Sequence, residues 1–471
     1  MPTALPAADT MAVPEDRRFF GHPQGLAYML GAEAGFAFAY YGLMTMLTLY
    51  MTSVLLKPGH VEHVWGFSLY RAFLEGHGHA GAMTPMDLAS RTFGLYTSTT
   101  YALPLLGGFL ADRWLGQRRA VLWGLMLLTL AFALVIREET FLIALVLIVV
   151  GVGLEKTSLV GQIGRLYGTE DPRRTRAFGL FLMTLNFGAL VVPLVAGTLA
   201  ERVGWTYGLM TLSAGLTLGT ICYALGGRHM PPDLIQAAAA TARSREARPP
   251  LLARAELWVV AALGALMLLD GLNVGIYNQA WNVLPVWTAA HVELHILGWP
   301  VPVTWFSTLD GVLTIVGIAF AVRVWALQDR HGPGRREVGR VATGFVLAAL
   351  GYVVLALGAW LGRKGLAPMW PVVGFFILAD FATPWVDTVV LTAISRDAPA
   401  SVNTTMIGIY YLAIGAGNFV TGWLGGFADH MSMPAFWLMH AAILGGGLAM
   451  LVLFGWALRR GLNSSPAEAP A

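Results

Sequence analysis

Apolar runs long enough to cross a membrane recur along this chain, and they decide most of what it can fold into. They fall at about 25–56, 92–110, 118–136, 141–167, 173–200, 205–226, 254–288, 301–327, 338–362, 368–395, 402–428 and 434–460, which makes twelve. A helix needs about 20 apolar residues to span the hydrocarbon of a bilayer. Only 12% of the 471 residues are charged, against roughly 25% in a soluble domain. An aqueous fold could not hide the rest. The expected fold class is an all-α membrane protein, with the lipid bilayer as its main solvent. Several runs exceed the span of a bilayer, so tilt or extension into water is expected. The 55 glycines suit close helix–helix contact in lipid.

The basic residues give the runs a direction. With the N-terminus inside, the outer loops hold Lys57, Arg71, Arg91, Arg137, Arg202, Arg363 and Lys364, while the other 22 lysines and arginines outside the membrane are internal. That asymmetry obeys the positive-inside rule and places both termini in the cytoplasm of a bacterial inner membrane. Residues 1–24 carry Asp9, Glu15, Asp16, Arg17 and Arg18 and no apolar stretch, so no signal peptide is expected there. The one cysteine, Cys222, leaves no internal disulfide or paired-cysteine metal site.

An internal repeat divides the chain. Asp112-Arg113 and Arg118-Arg119 follow the second run, and Asp329-Arg330 and Arg335-Arg336 follow the eighth with the same spacing. Two six-helix halves repeated in parallel are a transporter architecture, that of the major facilitator superfamily. The expected organisation is a cytoplasmic N-terminus (1–24), a six-helix bundle (25–226) with a long outer loop at about 57–91, a cytoplasmic linker (227–253), a second six-helix bundle (254–460) and a cytoplasmic tail (461–471). The outer loop holds His60, His63, His77 and His79. Metal binding is conceivable from that spacing, but a solvated loop explains it, and no metal is expected.

Charge within lipid is expensive, at least about 2.5–3.5 kcal/mol for Asp, Lys or Arg at a helix centre. Glu33, Glu155, Lys156, Asp270, Asp310, Asp380 and Asp387 all fall inside apolar runs and are functional candidates on that ground, with the depth of Asp270 left open. Lys156 is the one lysine in a membrane run. It is a candidate to bind a substrate carboxylate, or to form a structural pair with Glu33 or Glu155. Glu33 reads as a proton carrier or as a helix-packing hydrogen bond. Asp380 and Asp387 lie two turns apart on one helical face, with Pro384 marking a kink between them. An inner-loop arginine is the structural partner open to Asp387. Asp112, Arg113, Arg118, Arg119, Asp329 and Arg330 are candidates for gating at the inner loops, or serve topology alone.

Several segments resemble the proton-dependent oligopeptide transporters, a branch of the major facilitator superfamily. They are Gly21-His22-Pro23-Gln24-Gly25-Leu26, Glu33 with Tyr40-Tyr41-Gly42, and the run from Tyr101 through Gly107-Gly108 to Asp112-Arg113. To these are added Gly151-Val152-Gly153-Leu154-Glu155-Lys156, Asp171-Pro172-Arg173-Arg174, Asn186-Phe187-Gly188, Gly204-Trp205, Gln279, Trp305-Phe306 and Met406-Ile407-Gly408. The resemblance covers nearly the whole chain. It departs in the first run, where the family reads Glu-x-x-Glu-Arg-Phe-x-Tyr-Tyr-Gly and this chain has Phe36 and Ala37 for the second glutamate and the arginine. Met44 stands where the family has a further arginine, Asn278 and Asp380 for glutamates, Asp310 for an asparagine and Tyr410 for a tryptophan.

The resemblance implies substrate contacts at Tyr40, Tyr41, Tyr101, Lys156, Asn186, Asn278, Asp310, Asp380 and Tyr410. It implies Lys156 on the peptide carboxylate and Asp380 on the amino group, with proton coupling among Glu33, Glu155, Asp380 and Asp387. The expected function is proton-coupled uptake of di- or tripeptides or similar zwitterions by alternating access. The alternatives are a uniporter, exchanger or exporter of another amine-bearing or amphiphilic solute, or a sensor without flux. No nucleophile–base or metal constellation marks an enzyme. No cofactor beyond a proton gradient, no nucleic acid and a monomeric state are expected.

Overall fold

A computed structural model describes residues 16–76, 82–168, 171–231, 233, 254–330, 336–399 and 401–462. His77, His79, Arg335, most of the 227–253 linker and the tail from 463 lie outside the described residues. Twelve long helices organise the chain. The first six are α1 (Gln24–Tyr50), α2 (Pro85–Leu110), α3 (Gln117–Val135), α4 (Phe141–Arg165), α5 (Arg173–Val192) and α6 (Trp205–Leu225). The second six are α7 (Arg254–Tyr277), α8 (Trp305–Asp329), α9 (Glu337–Leu361), α10 (Trp370–Thr383), α11 (Asn403–Gly425) and α12 (Met433–Leu462). Eleven are long and apolar enough to cross a membrane. The remaining one, α2, is just as long but rich in hydroxyls. Thr92, Thr97 and Thr99 return their protons to the carbonyls of Leu88, Phe93 and Leu95, which hides their polarity. A capping box between Thr84 and Asp87 starts α2.

Two separate apolar cores follow the two halves of the sequence. One gathers buried residues from Leu26 to Met230, the other from Val259 to Leu462 together with Met86 of α2. That exchange of Met86 marks where the halves are joined. An even number of helices puts the start of α1 and the end of α12 on one face, called here the termini face, and the opposite one is the far face.

The halves are fastened at the far face. Ser90 of α2 donates to the Gly422 carbonyl of α11 at 3.0 Å, and Asn282, just past α7, donates to Ser90 at 2.6 Å. Thr48 of α1 donates to Asn282 at 3.0 Å, and His430 pairs with Asp87 at 3.0 Å. Glycine allows the helices to touch. A Cβ on Gly94 would lie 2.6 Å from the Gly422 Cα, and one on Gly417 only 1.8 Å from the Gly271 carbonyl oxygen. At a second joint, Glu201 accepts from the backbone of Val303 and Thr304 and from the Thr304 hydroxyl at 2.8–2.9 Å. A carboxylate there caps the exposed N–H groups of α8. Each of these ties falls in the far half, so the cleft between the halves opens toward the termini face.

Two helices bend on proline. Pro193 opens a π-turn (Pro193–Gly197) that ends α5, and Pro384 opens another (Pro384–Thr388) that continues α10 into Val389–Asp397. Proline lacks the N–H that would close the regular ladder. On the termini face, the loop after α2 turns at Gly116 (φ +80°), where Asp233 accepts from the Arg118 N–H at 2.7 Å and caps α3. The expected outer loop carries helical segments at Val61–His63 and Phe67–Glu75.

Candidate functional site

Where the cleft narrows toward its closed end lies a cavity of about 320 Å³, at the lower end of small-molecule sites. Three helices of each half form its wall. From the first half come Tyr41, Met44 and Thr45 of α1, Tyr101 of α2, and Leu185, Asn186 and Ala189 of α5. The second half supplies Asn273, Val274, Tyr277, Asn278 and Trp281 around the end of α7, Ser307, Asp310, Gly311 and Thr314 of α8, and Thr383 and Asp387 of α10. The Tyr41 ring meets Trp281 edge-on at 6.0 Å across the seam, forming part of the closed roof.

The roof is a chain of carboxamides. Asn278 donates to Asn418 of α11. Gln279 donates to the Thr421 carbonyl at 2.9 Å and accepts from Asn282 at 3.1 Å. Buried amides need such partners, because an unmade hydrogen bond costs about 1–3 kcal/mol. The same links couple the cavity to the far-face closure through Asn282.

Two acidic couples stand along the α7–α10 wall. In the first, the Tyr277 hydroxyl contacts Asp310 and lies 2.6 Å from Asp380. One hydroxyl has one hydrogen and cannot donate to both. The second contact therefore needs a proton on a carboxyl group. Asp380 is wholly buried, and its Oδ2 has no hydrogen-bond partner. In the second couple, Asp387 faces Asp270 and Tyr410. Both Asp270 oxygens are buried without a well-formed hydrogen bond. Asp270 is therefore deep in the second half. Seven residues separate Asp270 from Tyr277 on α7 and Asp380 from Asp387 on α10, so the couples form two rungs between these antiparallel helices.

In the first half, Lys156 lies behind the wall. Its Nζ is 5.3 Å from the Tyr101 ring centre and 5.9 Å from that of Tyr40, within cation–π range. Glu33 and Glu155 are close enough for their charges to act on it. Neither forms an ion pair with it within 4 Å among the described residues. Glu155 is buried, with both carboxylate oxygens lacking a partner. Tyr40 shares a hydrogen bond with Thr100 at 2.9 Å and stacks on Phe36. A Cβ on Gly188 would lie 2.9 Å from the Ala37 Cβ, so α1 and α5 touch at the position where the resembled family carries an arginine. The small residue lets the helices close up.

Of the residues expected to meet substrate, Tyr41, Tyr101, Asn186, Asn278 and Asp310 line the cavity, as does Asp387, which was expected only to carry protons. Tyr40, Lys156, Asp380 and Tyr410 stand one layer back. Asp387 meets Asp270 rather than an inner-loop arginine. Sequence reasoning missed Asn273, Tyr277 and Trp281. Their signal was present as a polar stripe at 270, 273, 277 and 281 along one helical face. On the termini face, Asp112 accepts from Gln117 at 2.9 Å, Arg113 covers the Phe109 ring, and Asp329 pairs with Arg340 at 2.8 Å. Arg119 and Arg330 are exposed. At the far face His60 pairs with Glu138 at 2.8 Å. No metal-binding cluster occurs among the described residues.

Comparison with known proteins agrees with this architecture. The model of the POT family matches residues 118–243. An uncharacterized transporter, YclF, of Bacillus subtilis is 24% identical, over 93% of this chain and 95% of its own length. The peptide transporter YePEPT of Yersinia enterocolitica is 23% identical, over 97% and 99%. Among solved structures, the peptide transporter POT bound to sulfate superposes with a TM-score of 0.80 at 21% identity, covering 95% of this chain and 97% of that one. A POT family transporter bound to 5-aminolevulinic acid gives 0.77 at 18% identity, covering 95% and 99%. The twelve helices thus adopt the major facilitator fold, and the chain resembles the POT family over residues 118–243, with relatives that align along nearly its whole length.

Proposed function

We propose that this protein imports di- and tripeptides, coupled to protons, by alternating access across a bacterial inner membrane. The observation that carries the reading is the central cavity, built from three helices of each half, closed at the far face and open toward the termini face. Transport through such a fold proceeds as the halves rock about a midplane site. The excess of basic residues at the termini face supports a cytoplasmic placement, which makes this the inward-open state. The likeness to peptide transporters in sequence and fold supports the substrate class.

Within that reading, Tyr41, Tyr101, Asn186 and Asn278 meet the peptide backbone, and Asp310 and Asp387 meet its amino groups. The Tyr277–Asp310–Asp380 and Asp270–Asp387–Tyr410 couples hold protons, as do Glu33 and Glu155 around Lys156. Asp112, Arg113, Arg118, Arg119, Asp329 and Arg330 form cross-half gates once the termini face closes, with Asp329 giving up Arg340 and Asp112 giving up Gln117. The protein works as a monomer and holds no cofactor. Purified protein in liposomes with an acidic exterior should accumulate a labelled dipeptide and lose that uptake when a protonophore collapses the gradient. Absence of peptide uptake together with absence of peptide binding would sink the assignment.

A further inference from the structure

The cavity wall is electrically one-sided. Its charged lining residues are Asp310 and Asp387, with no lysine, arginine or histidine among them. Directly behind them stand Asp380 and Asp270, both fully buried. Lys156, the lysine of the membrane runs, is in the other half with the Tyr101 ring against it, and Glu33 and Glu155 are close enough for their charges to act on it. Arg323 of α8 is exposed and lies more than three helical turns beyond Asp310. His440 of α12 is buried against the Phe436 carbonyl at 2.8 Å, outside the wall.

A proton count sets the residual charge. The shared Tyr277 hydroxyl requires a carboxyl proton on the Asp310–Asp380 couple, and proximity favours one on Asp270–Asp387. With one proton in each couple, the wall still carries two negative charges. A dipeptide with neutral side chains brings an ammonium and a carboxylate, and so changes nothing in this sum. Its carboxylate must also sit opposite a wall that repels it, facing only hydroxyls and carboxamides from the first half. A peptide with a basic side chain brings a second ammonium or a guanidinium, and the wall offers two separated carboxyls, Asp310 and Asp387, to receive the two cations. Charge complementarity of this kind sets specificity.

We propose that the site selects dipeptides of net positive charge, those bearing a lysine or arginine side chain, over neutral ones, and excludes acidic ones. The inference rests on the peptide reading above and sharpens its substrate class. The test compares Ala-Lys, Lys-Ala, Ala-Ala and Ala-Asp as competitors for labelled peptide uptake into liposomes, and as ligands in thermal-shift titrations of the purified protein. The expected order places both lysine peptides at least tenfold ahead of Ala-Ala, with Ala-Asp inactive. Asp310→Asn and Asp387→Asn, read by binding so that lost proton coupling does not matter, should each shrink the lysine preference at least threefold. Ala-Ala matching or exceeding the lysine peptides overturns the inference and leaves peptide transport standing. No binding or uptake of any of the four overturns both.

Discussion

Glu201 offers the most direct way to weigh the far-face closure. Its carboxylate, at the end of the α5 segment, accepts three hydrogen bonds from Val303 and Thr304 at the start of α8, between 2.8 and 2.9 Å. Hydrogen bonds to a charged group contribute about 1.5–3 kcal/mol each. Glu201 is half-buried, and when the joint opens water takes over most of these bonds, leaving about 2–3 kcal/mol in favour of the closed joint. Since about 1.4 kcal/mol is a factor of ten, Glu201→Ala should shift the ratio of far-face-open to closed molecules by roughly 30- to 150-fold. Glu201→Gln keeps one acceptor and should fall between. Spin labels on Val203→Cys and Leu297→Cys, in a Cys222→Ala background, would report the separation of the joint under conditions where the parent shows both distances. Change in the open fraction below threefold, in a variant that is otherwise folded, would refute the idea that this carboxylate helps hold the face shut.

Further expectations concern the wall, the packing and the N-terminal arm. Tyr277→Phe removes the hydroxyl between Asp310 and Asp380 and should lower proton-driven uptake about 10- to 100-fold, the equivalent of one charge-assisted hydrogen bond. Gly417→Ala puts a methyl 1.8 Å from the Gly271 carbonyl and should cost about 2–4 kcal/mol or prevent accumulation. Gly445→Ala, with nothing within 4 Å, should be neutral or slightly stabilising in a melting assay. His22, ahead of α1, shares a hydrogen bond with Tyr167 at 2.8 Å, and burial pushes its pKa below the ordinary 6.5. A histidine kept neutral in the native state stabilises fully above that ordinary value and less as pH falls beneath it. Melting temperature should therefore drop between pH 7 and 5, and His22→Gln should flatten that slope.

The sequence carried the fold because its signal is repetitive. Twelve apolar runs, one arginine asymmetry and one duplicated Asp-Arg loop all bear on the same architecture, and each is visible without contacts. The site was only partly legible, for a geometric reason. Tyr40 and Tyr41 are neighbours in sequence, yet only Tyr41 lines the cavity. Glu155 and Lys156 also diverge, since adjacent helical residues point about 100° apart, and neither of them lines the cavity. Lys156 was expected at the substrate, but whether its side chain reaches past Tyr101 depends on how α2 lies on α4. Tyr277 gave no charge signal at all, and its role rests on the approach of α8 and α10, which no local pattern encodes. The replacement of a family arginine by Ala37 looked like a loss of machinery. In the structure it is also a packing choice that lets α1 close on Gly188.

The concentration of acids on α7, α8 and α10 has an electrical consequence. A membrane potential acts on each charge moved through it with about 2.3 kcal/mol per 100 mV. When the halves rock, an unfilled wall with two negative charges changes its position in that field and must do work. A lysine or arginine dipeptide, of net charge +1, offsets about half of that charge and weakens the voltage dependence of the loaded step. The empty return is then the more voltage-sensitive leg of the cycle, and membrane potential a second throttle on turnover beside the proton gradient.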